Sequence, residues 1–542
     1  MKIKQNKYSL IILLTCVVFF FVYSFTTLSV WWPQFLATGH LIFNWPDANA
    51  NYFFSQLFAS QGQFSILEVF NHVTDNLLHT RSINVLDGWL VPMTFLWPII
   101  IFGSIFKVFG GGLILFLTPL LASATVFILY KLFVHIFADQ KIAFITALLL
   151  LPLGPWLFFA NVVMLPTVLF IFLLSSGLLA LVVSIKHNSN LTFLLSSLLT
   201  ALALVVRPTE FIWVAAMLSA LYYFNYKKIA HTKIIIFLAI LFIFAFLTLW
   251  LNKLVYGGWF NFGYLNLQAN SFTSELNNQE NNIWAWLKLF ILPFGWNTKV
   301  FILNTWEYLI KILWPYWLLI IATSWLFFKK RKTNKIWRQY FIVSKIVGIL
   351  LLIYYASWDL IDPLVKQYNT ISISYVRYFL PLYILAMPVV ALAIQFLFSF
   401  KNKKQALIIK TGVVIILGIF SLHLAFLSPH DGLKQNKITL LSYYQQFDKV
   451  QKIVPAGSVM LTERSDKLFF PYYKVIVPQG DLPLWPRLEK LAQATDIFYY
   501  SSLSEDRIIT TQLEAAEYNL DIIKLAGINE DFNLYKIQLI NQ

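Results

Sequence analysis

The sequence is poor in cysteine, in charge and in acid. A single cysteine, Cys16, stands among 542 residues, so no disulfide framework and no thiolate metal site can form within one chain. Charged residues make up 12%, about half the share of an ordinary soluble domain. Acids are the scarcer kind, Asp+Glu 25 against Lys+Arg 41, which leaves a formal net charge of +16. No glycine-rich phosphate loop is present. Gly110, Gly111 and Gly112 are followed by neither Lys-Ser nor Lys-Thr and read as a hinge into the next apolar run. His40, His72 and His79 lack the i, i+4 spacing of a zinc helix.

Apolar residues fill the space that charge leaves. They make up 59% of the chain, aromatics 18%, and they gather in runs long enough to cross a hydrocarbon core as helices. The class is a polytopic α-helical membrane protein, and the many Trp and Tyr residues suit its interfaces. The positive charge lies in short loops between apolar runs. It reads as an orientation signal and as contact with lipid headgroups, not as a nucleic-acid surface. The basic, apolar start at residues 1–25 carries no small-x-small cleavage site and reads as a retained first helix.

Twelve apolar runs can be drawn, at roughly 8–30, 89–109, 113–134, 142–158, 167–185, 190–206, 209–226, 233–252, 308–328, 338–356, 375–399 and 406–427. If the 89–109 run does not span, the basic clusters all fall on one side: Lys2 with Lys4 and Lys7, Lys131 with Lys141, Lys186, Lys227 with Lys228 and Lys233, and the clusters at 329–335 and 401–404. The positive-inside rule thus favours about eleven spans with a cytoplasmic N-terminus. The 89–109 run, broken by Pro92, Pro98 and Gly103, reads as a broken helix partly in the outer leaflet. Residues 1–427 form the transmembrane domain, with a first outer loop at about 31–112. Residues 428–542 have ordinary charge density, and short β-rich runs alternate there with helical stretches. They read as an extracytoplasmic α/β domain.

The first outer loop holds Asp47, beside Trp31, Trp32 and Trp45. Tyr52, Phe53, Leu57 and Phe58 recur on one face, as in an interfacial helix. Asp47 then has two readings, an N-cap accepting from free backbone N–H groups or a chemical acid. The order of short motifs resembles the GT-C superfamily of membrane glycosyltransferases. The branch containing protein O-mannosyltransferases and the lipid A aminoarabinose transferase is the most similar. Asp47, Ala48, Tyr52, Ala59 and Gly62 fit its first-loop frame, and the stretches HTRSINVLDGWLVP, LVYGGWFNFGY and VRYFLPLYILAMP follow in the family's order.

The resemblance implies a polyprenyl-phosphate sugar donor, an acceptor that is a lipid, a glycan or a protein, and a catalytic role for Asp47. A hydroxyl or amine attacking an anomeric carbon must lose its proton, and a placed carboxylate can take it. The departing phosphate needs charge stabilisation more than a proton. Arg377, before a Pro-containing helix as in the family, is the first candidate for that, and Arg207 and Arg81 follow. Guanidinium geometry matches phosphate oxygens; the alternatives are snorkelling or, for Arg207, a structural pair with Glu210 one turn on. A retaining mechanism needs a second carboxylate about 5 Å away, none is evident, and inversion is expected.

The chain departs from the family in its second outer turn, where Asn161 and Thr167 stand in place of charged residues. Asp47 alone offers too few hard oxygens for a divalent metal, so no metal site is assigned. Tyr52, Asn161, Glu68, Asp75 and Asp87 are possible auxiliaries. Trp259, Tyr264, Trp284, Trp286 and Trp296 could stack on sugars or anchor the interface. A transporter or flippase of lipid-linked sugars is the rival, and an inactive binding relative a third reading. Spans nearly free of charge at their centres favour surface chemistry. The expected location is the plasma membrane.

Overall fold

The computed structural model describes residues 2–38, 41–264, 292, 295–330, 334–359, 370–398, 402–478 and 483–540. Contacts divide the chain into two compact units whose boundaries differ from the sequence division at 427/428. The first comprises the described residues of Met1–Ser29, Leu115–Leu247 and Glu275–Asn436, the second those of Val30–Ile114, Thr248–Ser274 and Lys437–Gln542.

The chain is an integral membrane protein. Among the described residues seven helices are long and apolar enough to cross a membrane, including Lys2–Thr38, Ile114–Phe137, Pro166–His187 and His231–Tyr256. Two further pairs are bent. Gln140–Leu150 and Gly154–Ala160 meet at 60°, where Pro152, Gly154 and Pro155 interrupt the helix. Asn190–Val206 and the stretch from Pro208 meet at 113°, which is closer to a hairpin than to a kink. By length and composition the described residues thus hold seven spans, or nine if each bent pair is one, against the eleven expected from charge. In the first unit Gly177 lets neighbouring helices approach closely. Ser196 Oγ donates to its carbonyl at 2.8 Å, and a Cβ there would sit 2.6 Å from Thr200 Oγ1.

The 89–109 segment splits into strand and helix. Its first residues form a strand, and only Leu96–Phe109 is helical; 14 residues reach about 21 Å, too short for the hydrocarbon core. Three short antiparallel strands, β1 (Ile66–Leu67), β2 (Ile83–Leu86) and β3 (Trp89–Pro92), form a sheet in the order β1-β3-β2. Asp87 and Gly88, both with positive φ (47° and 83°), make the two-residue turn from β2 to β3.

The tail supplies a five-stranded sheet in the order β5-β4-β6-β8-β7. β4 is Val459–Leu461, β5 Lys474–Ile476, β6 Ile497–Ser501, β7 Leu520–Gly527 and β8 Asn533–Leu539. The runs SVMLT, YKVIVP and DIFYYSS each contain one of these strands and YKIQLI holds most of β8; β7 lies outside them. β4 is parallel to β5 and β6, whereas β8 is antiparallel to β6 and β7. Alternate residues enter two cores: Val459, Leu461, Ile497 and Tyr499 join one cluster, Met460, Phe498 and Tyr500 the other. Burial on both faces explains why β4 and β6 read as continuous apolar runs.

The second of these cores also takes Ala50, Phe54 and Leu57 from the helix Pro46–Gln61. That corrects the interfacial reading. Ala48, Asn49, Ala50, Asn51, Tyr52, Phe54, Ser55 and Leu57 are all buried, so the helix is enclosed on most sides and lays no single stripe on a surface. Helix Leu96–Phe109 packs against it at Gly103, where a Cβ would lie 2.8 Å from the Ser55 carbonyl oxygen.

Candidate active site

Asp47 is the second residue of its helix. Trp45 holds the N-cap position, its carbonyl accepts from the backbone N–H groups of Ala48 and Asn49, and Pro46 fills the first turn, where a missing N–H does no harm. The N-cap reading of Asp47 is therefore replaced. The half-buried carboxylate accepts a hydrogen bond from Ser82 Oγ at 2.6 Å, the short length of a charge-assisted bond. Ser82 has φ +64°, a conformation few side-chain-bearing residues adopt. Asn49 fixes the approach to the helix: its amide accepts from Phe43 N–H at 2.9 Å and donates to Phe43 carbonyl at 2.8 Å. Ile42 N–H donates to Tyr444 hydroxyl at 3.0 Å.

Arg81, the neighbour of Ser82, is tied to the tail. Its Nε and Nη2 donate to Asp466 Oδ1 at 2.9 and 2.6 Å, its backbone N–H to Oδ2 at 3.0 Å, and Nη2 also to the Arg464 carbonyl at 2.6 Å. This engagement argues against Arg81 as a phosphate ligand. Lys467 Nζ donates to Asn44 carbonyl at 3.0 Å and to Asn44 Oδ1 at 2.7 Å. Beside this loop, burial lowers the His79 pKa, while a Thr80 carbonyl contact and the Asp466 charge offset part of the shift.

The first unit holds a separate cationic cluster. Pro208 disfavours helix at the preceding residue, so Arg207 leaves the helical conformation (φ −139°, ψ 83°) and stands at the corner of the 113° turn. Its Nη2 lies 2.6 Å from Glu210 Oε1, and its Nη1 donates to Thr167 Oγ1 at 3.2 Å. Glu210, 1% exposed, also accepts from Tyr355 hydroxyl at 3.0 Å and from the Trp213 indole. Arg377 stands on the short helix Ser374–Tyr378, and its Nη2 donates to Tyr378 hydroxyl at 2.9 Å. The Tyr378 ring gathers both cations: the Arg207 guanidinium lies 5.4 Å and the Arg377 guanidinium 4.9 Å from its centroid. Tyr355 stacks on the same ring at 4.3 Å. Sequence order separates the two arginines by 170 positions; the fold assembles both on one tyrosine, and both are buried.

The auxiliaries make contacts of their own. Glu68 caps the short helix Val69–His72 by accepting from Phe70 N–H, and pairs with Lys474 at 2.8 Å. Asp75 lies 3.4 Å from Arg487, and exposed Asp87 is the hairpin turn residue. Buried Tyr52 accepts from Gln56 at 3.0 Å, and burial raises its pKa. Buried Asn161 accepts from Thr27 Oγ1 at 3.1 Å and donates to Leu157 carbonyl at 2.8 Å, a cross-helix tie in the first unit. His40, Trp284 and Trp286 lie outside the described residues. Trp259 sits under Lys253 Nζ, Tyr264 packs on Phe95, and Trp296 donates to Thr298. No group of three or more His, Cys, Asp and Glu side chains gathers for a metal ion among the described residues.

Sequence reasoning missed Ser82, Asn44, Asp466 and Lys467. Each is a common polar residue; Asn44 stands three positions ahead of Asp47, and only tertiary structure brings the others toward it.

No protein-family model and no curated protein sequence matches the chain. Solved structures do. Over 98% of both chains it is similar to ArnT from Cupriavidus metallidurans bound to undecaprenyl phosphate, at 11% identity and a TM-score of 0.53. The apo state of the same protein gives 10% identity and a TM-score of 0.51 over the same 98% shares. In fold, the chain resembles the GT-C membrane glycosyltransferases, of which ArnT, the lipid A aminoarabinose transferase, is one.

Proposed function

We propose that the chain is a membrane glycosyltransferase that moves a monosaccharide from a polyprenyl-phosphate donor to a lipid, glycan or protein acceptor at the outer membrane face. The observation that carries the reading is the buried pair of arginines on Tyr378, in a chain whose fold is that of a transferase solved with a polyprenyl phosphate.

The acceptor hydroxyl or amine gives its proton to the Asp47 carboxylate as its lone pair attacks the anomeric carbon. The bond from that carbon to the donor phosphate oxygen breaks, and the electron pair leaves with the polyprenyl phosphate. Arg377, with Arg207 beside it, stabilises the charge that develops there. Arg207 also pairs with Glu210. A single displacement inverts the anomeric centre. The basic clusters support an N-terminus in the cytoplasm and an α/β part outside, and the membrane of this proposal is the plasma membrane.

The test uses full-length protein in lipid nanodiscs and a panel of radiolabelled undecaprenyl-phosphate sugars, read as transfer or slow hydrolysis. Asp47→Asn is expected to lower turnover on the order of 10²-fold or more while donor binding persists. Arg377→Ala is expected to weaken donor binding. Undiminished turnover in Asp47→Asn would remove the proposed base, and vectorial movement of the lipid without transfer would establish the transporter instead.

A further inference from the structure

We infer that residues 464–467, the end of the turn after β4 and the start of the short helix Asp466–Phe469, are a positioning clamp for Asp47, an inference that rests on the reading of Asp47 as the base. This segment follows β4, the strand that lies between β5 and β6, at its carboxyl end. It reaches the Asp47 helix by two routes. Along the first, Asp466 takes three donors of Arg81, two from the guanidinium and one from the backbone, and the Arg464 carbonyl takes a further bond. Backbone and side chain of Arg81 are thus fixed together, which fixes where the next residue points. That residue is Ser82, whose hydroxyl lies 2.6 Å from Asp47 Oδ1. Along the second, Lys467 grips the carbonyl and the side chain of Asn44, three residues ahead of Asp47.

The arrangement does more than join two segments. An ion pair alone would staple the first loop to the tail without touching the acid. Here the segment continues directly into a hydroxyl that occupies one carboxylate oxygen and sets its rotation. The backbone of Ser82 accepts φ +64° to deliver that hydroxyl, a conformation in which glycine would be at ease. A base acts only from a narrow range of positions, and a displacement of about 1 Å can lower turnover on the order of 100-fold. Asp466, Arg81 and Ser82 are positioning residues in this sense: they act through Asp47.

Ser82→Gly separates the side chain from the backbone, because glycine keeps the turn and removes the hydroxymethyl group. In nanodiscs, with the undecaprenyl-phosphate sugar that the parent protein turns over, it is expected to lower kcat by about 10- to 100-fold. Donor KM and thermal midpoint should stay near the parent's. Asp466→Asn should also lower kcat, and the double variant should fall no further than the worse single one, since both losses pass through one carboxylate. The charge-swapped pair Arg81→Asp with Asp466→Arg should recover part of what Arg81→Asp loses. Parental kcat in Ser82→Gly, or losses that multiply in the double variant, overturns the clamp. Full turnover in Asp47→Asn overturns the underlying reading instead, so the two failures are distinguishable. Should Asp466→Asn fail to fold, Ser82→Gly decides alone.

Discussion

Each unit of this protein holds an arginine with a buried carboxylate, and the two pairs are built in opposite ways. In the helical unit Arg207 meets Glu210, three residues further along the same turn. In the α/β unit Arg81 meets Asp466, 385 positions away. The first pair is local: a proline corner makes it, and any reader of VVRPTEF can foresee it. The second is topological, produced by a first-loop segment meeting the short helix Asp466–Phe469 that follows β4. Their environments differ too, with side-chain exposures of 7% and 1% in the first pair against 27% and 2% in the second.

The sharpest way to test that difference is to remove each carboxylate. Glu210→Ala leaves a guanidinium without its counter-charge in a buried site and also strips Tyr355 and Trp213 of their acceptor. A loss of about 3–5 kcal/mol is expected. Asp466→Ala leaves Arg81 partly exposed to water, so about 1–3 kcal/mol is expected, mainly from the orphaned donors. Thermal unfolding in detergent, followed by tryptophan fluorescence, measures both. Equal losses would mean that burial does not distinguish the pairs. A double variant, Arg207→Met with Glu210→Leu, should recover the part of the Glu210→Ala loss that comes from the unpaired guanidinium, because a buried ion pair adds little over a packed apolar one.

A second contrast concerns the glycines at close approaches. At Gly103, in the α/β unit, a new Cβ meets the Ser55 carbonyl oxygen at 2.8 Å, and backbone cannot step aside. At Gly177, in the helical unit, the nearest atom is Thr200 Oγ1 at 2.6 Å, a side chain with other rotamers, while Ser196 carbonyl stands off at 3.3 Å. Gly103→Ala should therefore destabilise by about 1–3 kcal/mol, and Gly177→Ala by less. If Gly177→Ala proves the worse, helix proximity within the membrane unit is the tighter constraint.

The same contrast marks what the sequence could disclose. Apolar run length, proline corners and basic loops are local signals, and they identified the membrane class, its long apolar helices and the Arg207–Glu210 pair. β4, β5, β6 and β8 were legible as short apolar runs bounded by polar residues. β7 was not, since its exposed face carries Asp521, Ile523 and Lys524 in no clean alternation. The helix after Asp47 misled because its stripe of aromatics resembles a membrane-facing one; a protein core and a membrane interface select the same side chains. Ser82 and Asp466 gave no signal, as neither a left-handed serine nor a long-range ion pair leaves a local pattern.

A surface pair makes the next smaller test. Asp496 and Lys536 lie 3.0 Å apart with exposures of 51% and 35%, so Asp496→Ala should change stability by no more than about 1 kcal/mol. A larger change would show that unit's ion pairs to be stabilising even at its rim.

The smallest effect is expected at His79, and only in acid. Burial holds its folded pKa below the ordinary histidine value, so at mildly acidic pH the unfolded chain binds a proton that the folded chain does not. The contribution is complete above the unfolded pKa of about 6.5 and is lost as pH falls from there through the lower folded value. Asp466 limits the loss, because its charge favours the protonated ring. The thermal midpoint of the parent protein should therefore fall slightly more between pH 7 and pH 5 than that of His79→Gln, which has no proton to bind. In Asp466→Asn that compensating charge is gone, and the acid sensitivity should grow. An unchanged sensitivity would show that the Arg81–Asp466 pair is too well neutralised for His79 to sense its carboxylate.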